Sequence, residues 1–284
     1  MPGPRGAGHA MVDGGMERLS RVAAVQMASG ADKAQNLATA ERLVREAVQR
    51  GAALVGLPEN VAWMGPETER AQAAEPLEGP TLQRFSSLAR ACAIHLVAGS
   101  VLESGAPGGR FYNTSVLFSP KGERLAVYRK LHLFDVEVGD GQTYRESAAV
   151  APGEDVVCVE TPLGRLGLSI CYDLRFPELY RALSAQGAVL LCVPSAFTLM
   201  TGKDHWEVLL RARAVENQAY VLAPAQGGRH PGDRFTYGHA LVVDPWGTVV
   251  ACASEGEGLA VADTDMGLLE RIRARLPALK HRRL

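Results

Sequence analysis

Several signals are missing from this chain of 284 residues. Its five cysteines, Cys92, Cys158, Cys171, Cys192 and Cys252, are odd in number, and no two form a C-x-x-C pair. Neither a disulfide framework nor a zinc knuckle is therefore expected, and a reducing cytoplasm is the natural compartment. The seven histidines are scattered, with no H-x-H or H-E-x-x-H spacing, so no metal site is expected. P-loop, G-x-G-x-x-G and G-x-S-x-G patterns are also absent, leaving a nucleotide cofactor or a serine nucleophile without support. Basic surplus is lacking too: 30 Lys and Arg face 31 Asp and Glu, which leaves no electrostatic footprint for nucleic acid. No apolar run approaches the roughly 20 residues of a membrane span. Met1 to Gly15 is rich in Gly, Pro and Ala and lacks the apolar core of a signal peptide. Residues 1–18 are read as a disordered tail, with Met11 or Met16 as alternative starts, and residues 19–284 as the folded domain.

What is present is a 47% hydrophobic chain with ample apolar surface for a core. Strand-like and helix-like segments alternate. Arg21 to Met27 reads as a buried strand. Leu37, Ala40, Leu43, Val44, Ala47 and Val48 then recur at helical spacing, with Asp32 as cap and Gly51 as stop. Ala53 to Leu57 is a second strand, ending in Pro58-Glu59-Asn60. A hairpin is expected from Phe111–Phe118 to Arg124–Arg129, turned by Pro120-Lys121-Gly122. Arg165–Ile170, a helix over Pro177–Gln186, Ala188–Val193, a helix over His205–Asn217 and Ala219–Ala225 follow. The interleaving predicts α/β layers. A faint echo links the strand–helix–strand starting at Arg21 to the one starting at Arg165, as if two similar halves stacked sheet on sheet.

Within this frame Cys171 stands out. An apolar run ends at it, a charged turn follows, and Pro177 opens a helix. A cysteine at a strand end and helix mouth suits a nucleophile, because helix amides favour the thiolate. Glu59, after a strand and a proline, points toward a crevice at the strand ends, although a solvated loop glutamate is the commoner reading. Lys130 ends a strand and can stabilise an oxyanion; a snorkelling edge lysine is the alternative. His132, two residues on, competes as base for a Cys/His pair, and alternation does not choose between them. Glu146, in a Gly-rich loop, says nothing alone.

Taken together, Leu57-Pro58-Glu59-Asn60, Tyr128-Arg129-Lys130-Leu131-His132-Leu133 and Ile170-Cys171-Tyr172-Asp173-Leu174-Arg175-Phe176-Pro177-Glu178 resemble the nitrilase superfamily of carbon–nitrogen hydrolases. The resemblance runs from about Arg21 to the C-terminus. It implies an α/β fold, a four-layer α-β-β-α sandwich, with Glu59 as general base, Lys130 as catalytic lysine and Cys171 as nucleophile. Glu146 matches a second glutamate that supports the lysine, and His132 is demoted to a neighbour. No cofactor and no metal is implied, and the partner is a small-molecule amide. A homodimer or higher homo-oligomer is expected, without nucleic acid or membrane.

The second half narrows the branch. Pro194-Ser195-Ala196-Phe197, the stretch from His205 to Ala214, Ala225-Gln226-Gly227-Gly228-Arg229-His230 and Tyr237-Gly238-His239 resemble the deaminated glutathione amidase group, with the ω-amidase group nearby. Gly227 stands where a cysteine is expected in animal members, and Leu199-Met200 precedes Thr201. Either substrate carries an α-keto carboxylate, so an anion site is expected near Cys171, with Arg175, Arg229 and His230 as candidates. Arg175 pairing with Asp173 or Glu178 is the structural alternative. Tyr172 offers a backbone N–H to an oxyanion, Phe197 and Thr198 would line the acyl pocket, and Trp206 reads as core. A carbamoyl hydrolase, or a non-catalytic binding protein on the same scaffold, completes the alternatives.

Overall fold

The computed structural model describes residues 19–139 and 143–283. The expected tail, its alternative starts and Gln142 lie outside the described residues.

Strand Leu19–Met27 shows how the sequence builds the layers. Its side chains alternate between two apolar clusters: Val22 and Ala24 join one, while Ala23, Val25 and Met27 join the other. That period of two is the pleat of a strand buried on both faces. The second cluster is closed by the helices Lys33–Gln49 and Pro80–Cys92 through Leu37, Leu43, Val44, Phe85 and Leu88. The first extends across to Leu166, Leu168, Leu190 and Leu191 of a facing sheet, and on to Leu183, Trp206 and Leu210 of the helices Pro177–Ala185 and Leu199–Asn217. The order is helix, sheet, sheet, helix, which is the four-layer sandwich.

The two-half echo is real in the topology. Leu19–Met27, Leu54–Gly56 and His95–Val97 pair in parallel with helices between them. Leu166–Leu168, Leu190–Cys192 and Tyr220–Ala223 repeat that arrangement in the second sheet. The chain then crosses between sheets at Pro224. Ala225–His230 joins the first sheet beside Leu19–Met27 in parallel, and Arg234–Tyr237 folds back on it. Gly56 makes this crossing possible, since a Cβ there would stand 2.7 Å from Pro224 Cγ.

The hairpin of Tyr112–Phe118 and Arg124–Arg129 forms as expected. Three details differ. The helix expected over 205–217 begins at Leu199, because Thr198 accepts the Thr201 N–H as its cap. Residues 171–175 form a separate short 3-10 turn ahead of the helix Pro177–Ala185. A two-stranded ribbon, Asp135–Glu137 with Thr143–Arg145, stands apart from both sheets; its few, exposed residues carry no apolar period to read. Among the described residues no helix is long and apolar enough to cross a membrane, and no group of three His, Cys, Asp or Glu could hold a metal ion.

Candidate active site

Parallel strands deliver side chains at their C-terminal ends, where α/β sheets make crevices. Glu59 lies three residues past Leu54–Gly56, Cys171 three past Leu166–Leu168, and Ala196 four past Leu190–Cys192. Because the sheets face each other, Glu59 from one and Cys171 from the other meet. Lys130 follows strand Arg124–Arg129 directly.

Lys130 is the hub. It is 2% exposed, and its Nζ donates to Glu59 Oε1 at 2.9 Å and to Glu146 Oε2 at 2.9 Å. Asn113, on the neighbouring strand, donates through Nδ2 to Glu59 Oε1 at 2.8 Å and to Glu146 Oε1 at 3.2 Å. The remaining Glu59 oxygen accepts the Ala196 N–H at 3.0 Å, and Glu146 Oε2 also accepts the Phe134 N–H at 2.7 Å. The Cys171 thiol faces the Glu59 carboxyl and the Ala196 N–H. Gln226 donates to the backbone carbonyl of Glu59 at 2.9 Å, holding the loop itself.

The electrostatics follow from burial and these partners. Burial alone would lower the Lys130 pKa, but Glu146 and Glu59 outweigh it and hold the ammonium well above the ordinary lysine range. Burial would raise Glu146, yet Lys130 and the Phe134 N–H hold it below the usual carboxylate range. Burial, and then the Glu59 charge, push the Cys171 thiol well above its ordinary value, against the pull of Lys130. The resting cysteine is a thiol. Only a 3-10 turn starts at Cys171, so no long helix stands there to favour the thiolate, and burial is the largest influence on the thiol.

Cys171 also has φ +49°, a left-handed conformation that a residue with a Cβ adopts at a cost of about 1–3 kcal/mol. Asp173 holds the turn. Fully buried, it accepts Ile170 N at 2.8 Å, Tyr128 Oη at 2.6 Å, His132 N at 3.0 Å and His132 Nδ1 at 2.7 Å. His132 stacks on Phe176 at 3.7 Å. It thus fastens the turn behind Cys171 and does not sit beside Lys130; the strand ends at Arg129, so alternation no longer governs it.

A cavity of about 380 Å³ opens over Cys171, Lys130, Glu59 and Glu146, with Tyr172, Arg175, Phe197 and Thr198 in its wall. Arg175 pairs with neither Asp173 nor Glu178. Its guanidinium lies over Phe197 at 5.3 Å and meets His205 Nδ1 at 3.3 Å, and among the described residues it has no carboxylate within 4 Å. The other two anion candidates stand elsewhere. Arg229 is exposed and paired with Asp233. His230 is buried between the Ser29 carbonyl at 2.8 Å and Thr236 at 2.6 Å, and burial lowers its pKa, so it is neutral. Neither lines the cavity, although Pro231, Gly232 and Arg234 just beyond them do. Gly227 packs on Gly238, where a Cβ would come 3.0 Å from its Cα; it is outside the cavity wall, as are Leu199 and Met200.

Asn113, Asp173 and Arg234 escaped sequence reading. Asn113 sits mid-strand in a polar run without a motif. Arg234 lines the cleft from a hairpin whose turn residues gave no functional signal.

Fold and site together define a hydrolase-type cysteine centre, and the chain belongs to the carbon–nitrogen hydrolase family, which it matches over residues 21–274. It is 49% identical over 263 residues to the deaminated glutathione amidase of Synechocystis sp. (strain PCC 6803 / GT-S), covering 92% of this chain and 97% of the relative. It is 39% identical over 265 residues to the human omega-amidase NIT2, covering 93% and 95%. Among solved structures it superposes on the C. elegans NitFhit protein with TM-score 0.88 and 39% identity, covering 94% of this chain but only 66% of the longer worm chain.

Proposed function

We propose that this protein hydrolyses deaminated glutathione, N-(4-carboxy-4-oxobutanoyl)-cysteinylglycine, to 2-oxoglutarate and cysteinylglycine through a thioester on Cys171. The observation that carries the mechanism is Lys130 held between Glu59 and Glu146 at 2.9 Å each, with the Cys171 thiol facing Glu59. Glu59 takes the thiol proton as sulfur attacks the amide carbonyl. The oxyanion is met by Lys130 and the Tyr172 N–H. Glu59 returns the proton to the leaving nitrogen and the C–N bond breaks. Water, deprotonated by Glu59, then attacks the thioester; the C–S bond breaks, releasing the acid and restoring the thiol. Glu146 keeps Lys130 charged and in place. Arg175, lacking a carboxylate partner, receives the α-keto carboxylate, with Phe197 and Thr198 along the acyl chain.

The 49% identity to a deaminated glutathione amidase supports this substrate over 2-oxoglutaramate. Intact-mass spectrometry of enzyme quenched during turnover tests it, with parallel assays of both substrates. An acyl adduct of 2-oxoglutaryl mass on Cys171 and faster turnover of deaminated glutathione are expected. Faster turnover of 2-oxoglutaramate would reassign the substrate, and full activity in Cys171→Ala would overturn the mechanism.

Self-association is part of the same proposal. Val208 and Val215, two turns apart on one helix, are 60% and 50% exposed, and Trp246 beside them is 61% exposed. Arg211 Nε, donating to Gly247 O at 2.8 Å, ties the Trp246 turn to that helix. Such a stripe suits a second copy of the chain. Five free thiols fit a reducing, cytoplasmic setting.

A further inference from the structure

Arg234 has charge the mechanism does not use. It begins the strand Arg234–Tyr237 and lines the Cys171 cavity together with Arg70. Its Nε donates to Pro231 O at 3.1 Å, and its Nη2 to Met64 O at 3.1 Å and Gly65 O at 2.9 Å. A guanidinium has five N–H groups, so three are spent on neutral carbonyls. Both Nη1 protons have no partner among the described residues. Carbonyls orient the group without cancelling its charge, and no carboxylate among the described residues is within 4 Å of it. Arg70 is paired, at 2.8 Å, with Glu67, which is 73% exposed and at the cleft rim. Burial, reinforced by the charge of Arg70, already disfavours the Arg234 cation, with Glu67 opposing. A half-buried cation beside a second one is a place where an anion relieves both.

Ammonia, the leaving group of a simple amide, has no use for such a site. A dipeptide leaving group does: its C-terminal carboxylate lies up to about 7 Å from the scissile nitrogen, at roughly 3.5 Å per extended residue. The cavity of about 380 Å³ also falls within the range that encloses substantially larger ligands than a five-carbon keto-acid amide. We propose that Arg234, supported by Arg70, is a leaving-group subsite that binds the terminal carboxylate of a cysteinylglycine-type dipeptide, while Arg175 is reserved for the acyl end. This rests on the substrate reading above and deepens it: two cationic points, one for each end of the substrate, make the site selective for a long dianion.

The alternative is that Arg234 only clamps the Met64–Gly65 loop to the hairpin. A cycle of enzyme and substrate changes separates the two. Wild type and Arg234→Met are assayed on deaminated glutathione, on its C-terminal glycinamide analogue and on 2-oxoglutaramate. A charge-assisted pair is worth a factor of about 10–100. Arg234→Met should therefore lower the ratio of kcat/KM for deaminated glutathione over 2-oxoglutaramate by about that factor, largely through KM. Amidating the substrate should cost wild type a similar factor and cost Arg234→Met little more. Equal losses on all three substrates, or a wild type indifferent to amidation, would overturn the subsite while leaving the substrate assignment standing. Failure of that assignment has a different mark and takes the subsite with it: wild type itself preferring 2-oxoglutaramate.

Discussion

Asp173→Asn is the sharpest probe of how the fold holds its cysteine. One oxygen of Asp173 accepts Ile170 N at 2.8 Å and Tyr128 Oη at 2.6 Å; the other accepts His132 N at 3.0 Å and His132 Nδ1 at 2.7 Å. Asparagine has nearly the same shape but only one acceptor oxygen. If its NH₂ replaces the first oxygen, it confronts the Ile170 N–H; if the second, the His132 N–H. Tyr128 and the imidazole can turn from donor to acceptor, but a backbone N–H cannot. One buried donor is therefore stranded in either orientation, at about 1–3 kcal/mol, and the surviving bonds lose their charge assistance. The sum is about 3 kcal/mol of stability, which for a chain of this size lowers Tm by about 6–12 °C. Because the Ile170–Asp173 turn also imposes φ +49° on Cys171, kcat should fall by about 10–100-fold through a misplaced thiol, and KM should rise as well, since Arg175 closes the same turn. Thermal unfolding and steady-state kinetics on the purified variant read both effects. A variant within 1 kcal/mol of wild type and with full kcat would refute the idea that this carboxylate holds the turn.

Three further outcomes are expected. Lys130→Met should reduce kcat by at least about 10²–10³-fold, the usual cost of losing an oxyanion donor, and a smaller loss in single-turnover assays would remove Lys130 from the oxyanion. Glu146 is held below its ordinary pKa of 4.5, so its stabilisation is full above that value and is lost as pH falls through the lower folded value; Glu146→Gln should flatten the acid limb of a urea-midpoint profile below about pH 4.5, and an unchanged limb would count against the pairing. Trp246→Glu should shift sedimentation toward the monomer, whereas unaltered sedimentation would move the self-association surface elsewhere.

Much of the arrangement was legible because local rules and burial agree. Leu19–Met27 alternates between two apolar layers, and the Leu37 to Val48 spacing has one outcome. Cys171 and Glu59 each follow a buried apolar strand, which made them candidates, but spacing left Glu59 as the commoner loop glutamate and did not choose between Lys130 and His132; the three motifs read together, by their resemblance to carbon–nitrogen hydrolases, singled out the triad. Asn113 was invisible for the opposite reason: it lies inside Tyr112–Phe118, where nothing in a sequence separates a polar residue facing a site from one facing solvent. His132 lies three residues past the strand end at Arg129, where two-residue alternation no longer governs which way a side chain turns. Arg229 was a candidate and Arg234 was not read at all: four residues of hairpin lie between them, and register decides which arginine turns to the cleft.

The charge count of the buried centre explains why the cysteine rests as a thiol. Glu59 and Glu146 share one Lys130 ammonium, so the cluster already carries an excess negative charge. A thiolate would add a second within a few ångströms, and even at an effective dielectric constant of about 20 each like-charge contact at ~4 Å costs about 4 kcal/mol. Lys130 offsets part of this, but burial and Glu59 together prevail, as the raised thiol pKa states. In the proposed mechanism this is an advantage. The proton leaves sulfur for Glu59 only as sulfur gains a bond to carbon, and the negative charge passes to the carbonyl oxygen, where Lys130 and the Tyr172 N–H receive it. The total charge of the pocket is unchanged along that path, so burial opposes the free thiolate without opposing the reaction.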